Sequence, residues 1–256
     1  MITERRFNMP GKKYSEQHRV VYYDTDLTGR LNVGKLGDIL MLVSNDQSND
    51  LGVSLQNIKK AGLGWVVTQH VLTVDRMPRV GEELTITTQA TSYNRYFCYR
   101  DFFVQDQSGK QVAKMHSVFV MMDLKQRKMV RLVDEFINPY SADYTTKIER
   151  LPQPQMQGEV TEHNERTYRV RYTDIDINRH VNNIHYIDWM VDALDKDFLS
   201  QHDLVSLNIV YKKEVAYGDT VHSRVAKNGL VTYHEIISDD AISCVAECHW
   251  QPVKED

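Results

Sequence analysis

The sequence predicts an α+β fold: antiparallel sheet packed on a long helix, with that unit present twice. Three observations carry this reading. One polar motif recurs, a helical apolar period follows each copy, and alternating strand segments follow each helix. At an offset of 150, Tyr22 meets Tyr172, Asp24 meets Asp174, Asp26 meets Asp176 and Asn32 meets Asn182. Farther on, residues 78–83 (PRVGEE) resemble 215–220 (VAYGDT) at an offset of 137. The first copy therefore carries about 13 more residues between its two blocks.

The elements follow in order. A β-rich run (His18–Tyr23) enters a polar loop, and then Val33, Leu36, Leu40 and Val43 share one face of a helix. Leu84, Ile86, Thr88 and Ala90 alternate with their neighbours as in a half-buried strand. Phe97, Tyr99 and Phe103 fall on one face of the next strand. Val118 and Val120 oppose Phe119 and Met121, as in a strand covered on both sides. A stretch with Pro139, Pro152 and Pro154 lacks periodicity and reads as a linker. The second copy repeats the plan. Thr167–Tyr172 is β-rich, and Ile184, Ile187, Val191 and Leu194 share a helix face. Four strands follow (Leu207–Tyr211, Thr220–Ala226, Val231–Ile237 and Ile242–Trp250), separated by Gly218, Asn228-Gly229 and Asp239-Asp240. The predicted domains are 1–138 and 166–256, with 139–165 between them, forming a pseudo-dimer within one chain.

Composition narrows the function classes. The 256 residues are 41% hydrophobic and 26% charged, as in an ordinary globular chain, which excludes a disordered polymer or a collagen-like fibre. Net charge is −4, and basic residues do not cluster with aromatics, so nucleic acid is not an expected partner. No apolar run is long enough for a membrane span, and the first residues lack the apolar core of a secretory signal. Cys98, Cys244 and Cys248 form no disulfide framework, which fits a reducing cytoplasm. The C-x₃-C-H spacing at 244–249 is a poor zinc pattern, and no metal or other cofactor is expected. There is no P-loop and no GxGxxG, and Ser54 lacks the second glycine of a nucleophile elbow.

The two copies differ where chemistry concentrates. Copy two reads Asp176-Ile-Asn178-Arg-His180-Val-Asn182-Asn183, whereas copy one has Thr28 opposite Asn178, Arg30 opposite His180 and Met77 opposite Glu214. A role shared by both halves would not lose its amide, imidazole and second carboxylate on one side only; a site used once per chain would. Read as extended chain, Asp176, Asn178 and His180 share one side. Asn182-Asn183 then caps a helix whose free N–H groups suit a developing oxyanion.

These residues resemble a known family. Residues 172–186 (YTDIDINRHVNNIHY) resemble the D-x-N-x-H-V-N-N-x-x-Y signature of acyl-acyl carrier protein thioesterases, and Tyr211-Lys-Lys-Glu214 resembles that family's downstream YRRE segment. The resemblance implies two tandem hotdog domains, each an antiparallel sheet wrapped around a long helix. It implies hydrolysis of a fatty acyl thioester on acyl carrier protein, ending chain elongation. It also implies Asp176, Asn178, His180 and Glu214 as catalytic residues. A cysteine directly after that glutamate is replaced here by Val215, which removes a Cys–His mechanism at that position. On this reading Asp176 attacks the carbonyl or activates water, His180 and Glu214 move protons, and Asn178 and groups near Asn183 hold the thioester oxygen. Copy one then accommodates the acyl tail through Leu36, Leu40, Val43, Trp65 and Phe97. Arg171, Arg179, Lys212 and Lys213 form a basic docking patch for the acidic carrier. A homodimer is compatible with this reading. The competing readings are a hotdog acyl-CoA thioesterase and a non-catalytic acyl-binding protein.

Overall fold

The computed structural model describes residues 11–155, 158–177 and 179–253; Asn178 therefore lies outside the described residues. The first copy runs β1 (Lys13–Arg19), α1 (Val33–Asp50), α2 (Leu55–Lys60), β2 (Leu63–Val74), β3 (Glu83–Tyr93), β4 (Phe97–Gln105), β5 (Gln111–Asp123) and β6 (Lys128–Val130). A connecting stretch holds α3 (Asp134–Ile137) and β7 (Asp143–Tyr144). The second copy runs β8 (Glu162–Arg169), α4 (Asn183–Asp192), α5 (Lys196–Gln201), β9 (His202–Tyr211), β10 (Thr220–Asn228), β11 (Val231–Ser238) and β12 (Ala241–Pro252).

The two halves share one 12-stranded sheet whose main path is β1-β3-β4-β5-β2-β9-β12-β11-β10-β8. The seam is the antiparallel pair β2–β9, where Val71 faces Asn208 and Leu72 faces Leu207. Joining these strands removes two open edges, and the remaining edges, β1 and β8, are short and rich in charge. Both long helices lie against the inner face of this sheet, and one apolar core runs through both halves, from Leu36 and Leu40 to Ile184 and Ile187. Gly37 permits the helices to meet: a Cβ there would sit 2.6 Å from Ile184 Cδ1.

Each long helix starts at an asparagine cap. Asn32 Oδ1 accepts from Gly34 N at 2.8 Å, and Asn182 Oδ1 accepts from Ile184 N at 3.1 Å.

Three local expectations change. The first strands lie earlier than the β-rich runs suggested, at Lys13–Arg19 and Glu162–Arg169, because Tyr22–Asp24 and Tyr172–Asp174 turn as single 3₁₀ units. The linker is docked: the Pro152 carbonyl accepts from Gln69 Nε2 at 2.8 Å and Asn208 Nδ2 at 2.9 Å, strapping it across the β2–β9 seam. The segment carrying Asp176 and His180 is not extended. Asp176 N donates to the His180 carbonyl at 2.8 Å and Arg179 N to the Asp176 carbonyl at 2.9 Å, closing a tight turn with Ile175 bridged to Val181. The equivalent turn in copy one has Gly29 at φ 78°, where copy two places Arg179 at φ 68°.

Candidate active site

The turn after β8 and the strand end after β9 bring the predicted carboxylate and imidazole together. His180 Nδ1 lies 3.3 Å from Glu214 Oε2. A residue from the other half completes the group: Arg127, in the β5–β6 turn, donates from Nη1 to His180 Nε2 at 2.8 Å and pairs with Glu214. Because Arg127 donates to Nε2, the ring proton sits on Nδ1 and is donated to Glu214. Burial lowers the His180 pKa, the Arg127 cation lowers it further and Asp176 opposes them, so the ring is neutral at neutral pH.

These side chains border a cavity of about 540 Å³ lined by Asp176, His180, Asn183, Glu214, Lys212 and Lys213 among others. A β-bulge in β2 between Val67 and Gln69 lies on its wall, with Thr68 facing in. A second cavity of about 400 Å³ extends into the first copy between α1 and the sheet. Met41, Trp65, Phe119, Asp176 and Asn183 border both. The His180–Glu214 pair therefore stands beside the junction with a largely apolar space.

The residues expected to line an acyl-tail space are redistributed. Trp65 lines both cavities, as expected. Leu36, Leu40 and Val43 line neither; they are buried in the main core, because the apolar stripe of α1 faces the sheet. The cavity takes the neighbouring face, with Asp38, Met41, Leu42, Ser44, Asn45 and Ser48. Phe97 also lines neither cavity, and Phe119 on the adjoining strand takes that place. Among the proposed docking cations, Lys212 and Lys213 stand exposed at the rim and Arg179 is exposed on the turn. Arg171 is tied down: its guanidinium binds buried Asp174 at 2.7 Å and 3.0 Å. Burial would raise the Asp174 pKa, but the Arg171 hydrogen bonds outweigh it and the carboxyl is held low.

The matching place in the other half borders a cavity of about 590 Å³, but its histidine and glutamate positions are filled otherwise. Arg30, at the position of His180, donates to Asp203 at 2.6 Å, to the carbonyls of Leu199 and His202, and to Thr28. Met77, at the position of Glu214, is buried beside it. The cysteines are not nucleophiles here: burial pushes the Cys98 and Cys248 thiols up to about 12, and Cys244 well above its usual value. Among the described residues, no group of three or more His, Cys, Asp or Glu could hold a metal ion. Nor is any described helix long and apolar enough to cross a membrane.

Sequence reasoning missed Arg127 and a buried histidine, His70, whose Nε2 lies 3.1 Å from Asn183 Nδ2. Neither belongs to a motif. For His70, a lone histidine in the otherwise uncharged run that forms β2 (Leu63–Val74) was the available signal.

Fold and geometry together define a tandem hotdog protein with a histidine–carboxylate pair beside a cavity. The profile of the acyl-ACP thioesterase N-terminal domain matches residues 11–140, and that of the C-terminal domain matches 157–252. The chain belongs to the acyl-ACP thioesterase family. A solved structure of a provisionally assigned oleoyl thioesterase from Lactobacillus plantarum is 40% identical, with a TM-score of 0.91 over 97% of this chain and 99% of that one. The 12:0-ACP thioesterase of Umbellularia californica, 18% identical, shares the fold with a TM-score of 0.84 over 96% of this chain and all of that one. An oleoyl-acyl carrier protein thioesterase of Coriandrum sativum is 24% identical over 91% of this chain and 66% of its own length. A palmitoyl-acyl carrier protein thioesterase of Cuphea hookeriana is 28% identical over 70% of this chain and 45% of its own length. The chain thus spans from under half to just under two thirds of these two curated relatives.

Proposed function

We propose that this protein hydrolyses fatty acyl thioesters on acyl carrier protein, releasing free fatty acid. The observation that carries this is the His180–Glu214 pair at a cavity that shares Asp176 and Asn183 with an apolar space reaching into the other half. The acyl chain enters that space and the thioester carbonyl stops beside Asp176. Asp176 attacks the carbonyl carbon, expelling the thiolate and forming a mixed anhydride that water then cleaves, or it takes a proton from water as that water attacks. Neutral His180, with Nδ1–H held by Glu214, moves the proton to the departing thiolate. Asn178 and the start of α4 supply hydrogen bonds to the carbonyl oxygen as it gains charge.

The catalytic unit in this reading is 166–256, the accommodating unit 1–138, and 139–165 the strap between them. Lys212, Lys213 and Arg179 meet the acidic carrier. Two copies can associate without either losing its site, since each site is built within one chain. The free thiols, with Cys244 and Cys248 buried and Cys98 half-buried, fit a reducing cytoplasm.

The test is direct. Purified protein is given oleoyl-acyl carrier protein and oleoyl-coenzyme A at equal concentration, and released fatty acid is measured. Faster release from the carrier protein, abolished in Asp176→Asn, is the expected result. Equal or faster turnover of the coenzyme A ester would overturn the carrier assignment, and no release from either would overturn hydrolysis.

A further inference from the structure

His70 is a fully buried histidine on β2, in the half of the molecule that lacks His180. Its Nδ1 lies 2.7 Å from Ser117 Oγ on β5, and its Nε2 lies 3.1 Å from Asn183 Nδ2 at the first turn of α4. Burial lowers its pKa to about 3, so the ring is neutral and carries one proton. With the Asn183 amide donating to Nε2, that proton sits on Nδ1 and goes to Ser117. Phe119 and Tyr211 close on the ring edge-to-face, at centroid distances of 6.3 Å and 5.9 Å. Tyr211 Oη also donates to the Asn183 carbonyl at 3.0 Å. Asn183 is therefore gripped twice, through its backbone and through its side chain, where the two cavities meet.

The duplication supplies a control inside the same chain. The offset of 150 places Val33 opposite Asn183, and the offset of 137 places Leu207 opposite His70. His70 faces Ser117 across β2–β5, and Leu207 faces Cys248 across β9–β12. Val33, Leu207 and Cys248 do come together around one small apolar void. At the matching seat Val33, Leu207 and Cys248 stand where Asn183, His70 and Ser117 stand here, with buried His234 also on the wall of the void. Burying the His70 imidazole and the Ser117 hydroxyl where the second copy has Leu and Cys costs desolvation that packing at this position does not require.

We propose that His70, locked by Ser117, is a positioning residue. It fixes the Asn183 carboxamide so that the second amide hydrogen meets the carbonyl oxygen of the reacting thioester. The inference rests on the thioester reading of the site. Asn183 Nδ2 carries two hydrogens, and His70 takes one; the amide cannot turn its oxygen toward the substrate without breaking that bond. A preset donor is worth more to the transition state than one that must first be oriented.

The experiment measures kcat and KM on oleoyl-acyl carrier protein, with thermal midpoints, for five variants. These are His70→Leu, His70→Gln, Ser117→Cys, Asn183→Ala and the double variant His70→Leu/Asn183→Ala. Leu and Cys are the residues that the second copy carries at the same register. In His70→Leu, kcat falls on the order of tenfold while KM and the thermal midpoint stay near wild type. Gln restores an acceptor and recovers much of the rate. The double variant is no slower than Asn183→Ala alone, because the histidine acts only through that amide. An undiminished kcat in His70→Leu, or fully multiplicative losses in the double variant, would overturn the proposal. If His70→Leu does not fold, Ser117→Cys decides, with a several-fold loss of kcat expected and no loss overturning it. A wild-type chain inert toward every acyl thioester would overturn the functional reading itself; an active wild type with an indifferent His70 overturns the relay alone.

Discussion

Nδ1 of His180 faces Oε2 of Glu214 at 3.3 Å, although 33 residues and one full strand separate them in the chain. Arg127 from the other half bridges the pair, so three segments meet at one imidazole. This geometry fixes the ring tautomer and the sign of its titration.

The pH profile tests it. Burial, Arg127 and Lys59 lower the His180 pKa and Asp176 opposes them, while Glu214 also faces the ring. A base with a lowered pKa is active above that pKa, so kcat/KM rises with pH and levels off below the usual histidine value of about 6.5. In Arg127→Gln the acid limb moves to higher pH, by up to about one unit. A limb that stays in place would remove Arg127 from the site's electrostatics.

Arg179 holds φ 68° where copy one uses Gly29 at φ 78°. A non-glycine residue pays conformational energy there, of about 1 kcal/mol or more. Arg179→Gly is expected to stabilise the fold by about 1 kcal/mol, read from the urea midpoint.

Lys212 and Lys213 are exposed at the cavity rim. Reversing both to Glu should raise KM for the carrier-protein substrate at low salt and leave kcat close to wild type. The effect should fade above about 0.5 M salt, where exposed charges are screened. Arg171→Glu should instead cost stability, because Arg171 neutralises buried Asp174.

His70 and His234 are buried, each with its pKa lowered to about 3. In the unfolded chain both take up a proton near pH 6.5, whereas the folded chain resists until about pH 3. Stability from this source is complete above pH 6.5 and falls as pH drops below it. Between pH 6.5 and 5 each histidine removes about 2 kcal/mol. Denaturant midpoints across that range should show the loss, with a shallower slope in His70→Leu.

Ala142 lines the apolar cavity from the connecting stretch, at the side away from His180. Ala142→Leu should fill part of that space and shift hydrolysis toward shorter acyl chains at an unchanged thermal midpoint. Fatty acids released from a mixed-length acyl-carrier pool would report it. Leu36→Phe should alter stability rather than chain length, because Leu36 packs in the core.

The amino-acid sequence determined the duplication, the order of helix and strands, the capped helix starts and the one-sided loss of polar residues. Each of these is written in local periodicity or in a short motif, and Asp176, His180 and Glu214 could be picked out because copy one lacks the last two. Only the tertiary structure decided which face of α1 borders the cavity, that Arg127 meets His180, and that His70, held by Ser117, meets Asn183. An apolar period says that Leu36 and Leu40 are buried, but not whether protein or substrate covers the next face. Those partners come from β2, β5 and the β5–β6 turn, brought to α4 by the β2–β9 seam, and no local pattern encodes a contact between residues 70 and 183. The physical reason is that burial pattern and turn chemistry act within a few residues, whereas a polar site is assembled by packing across the sheet.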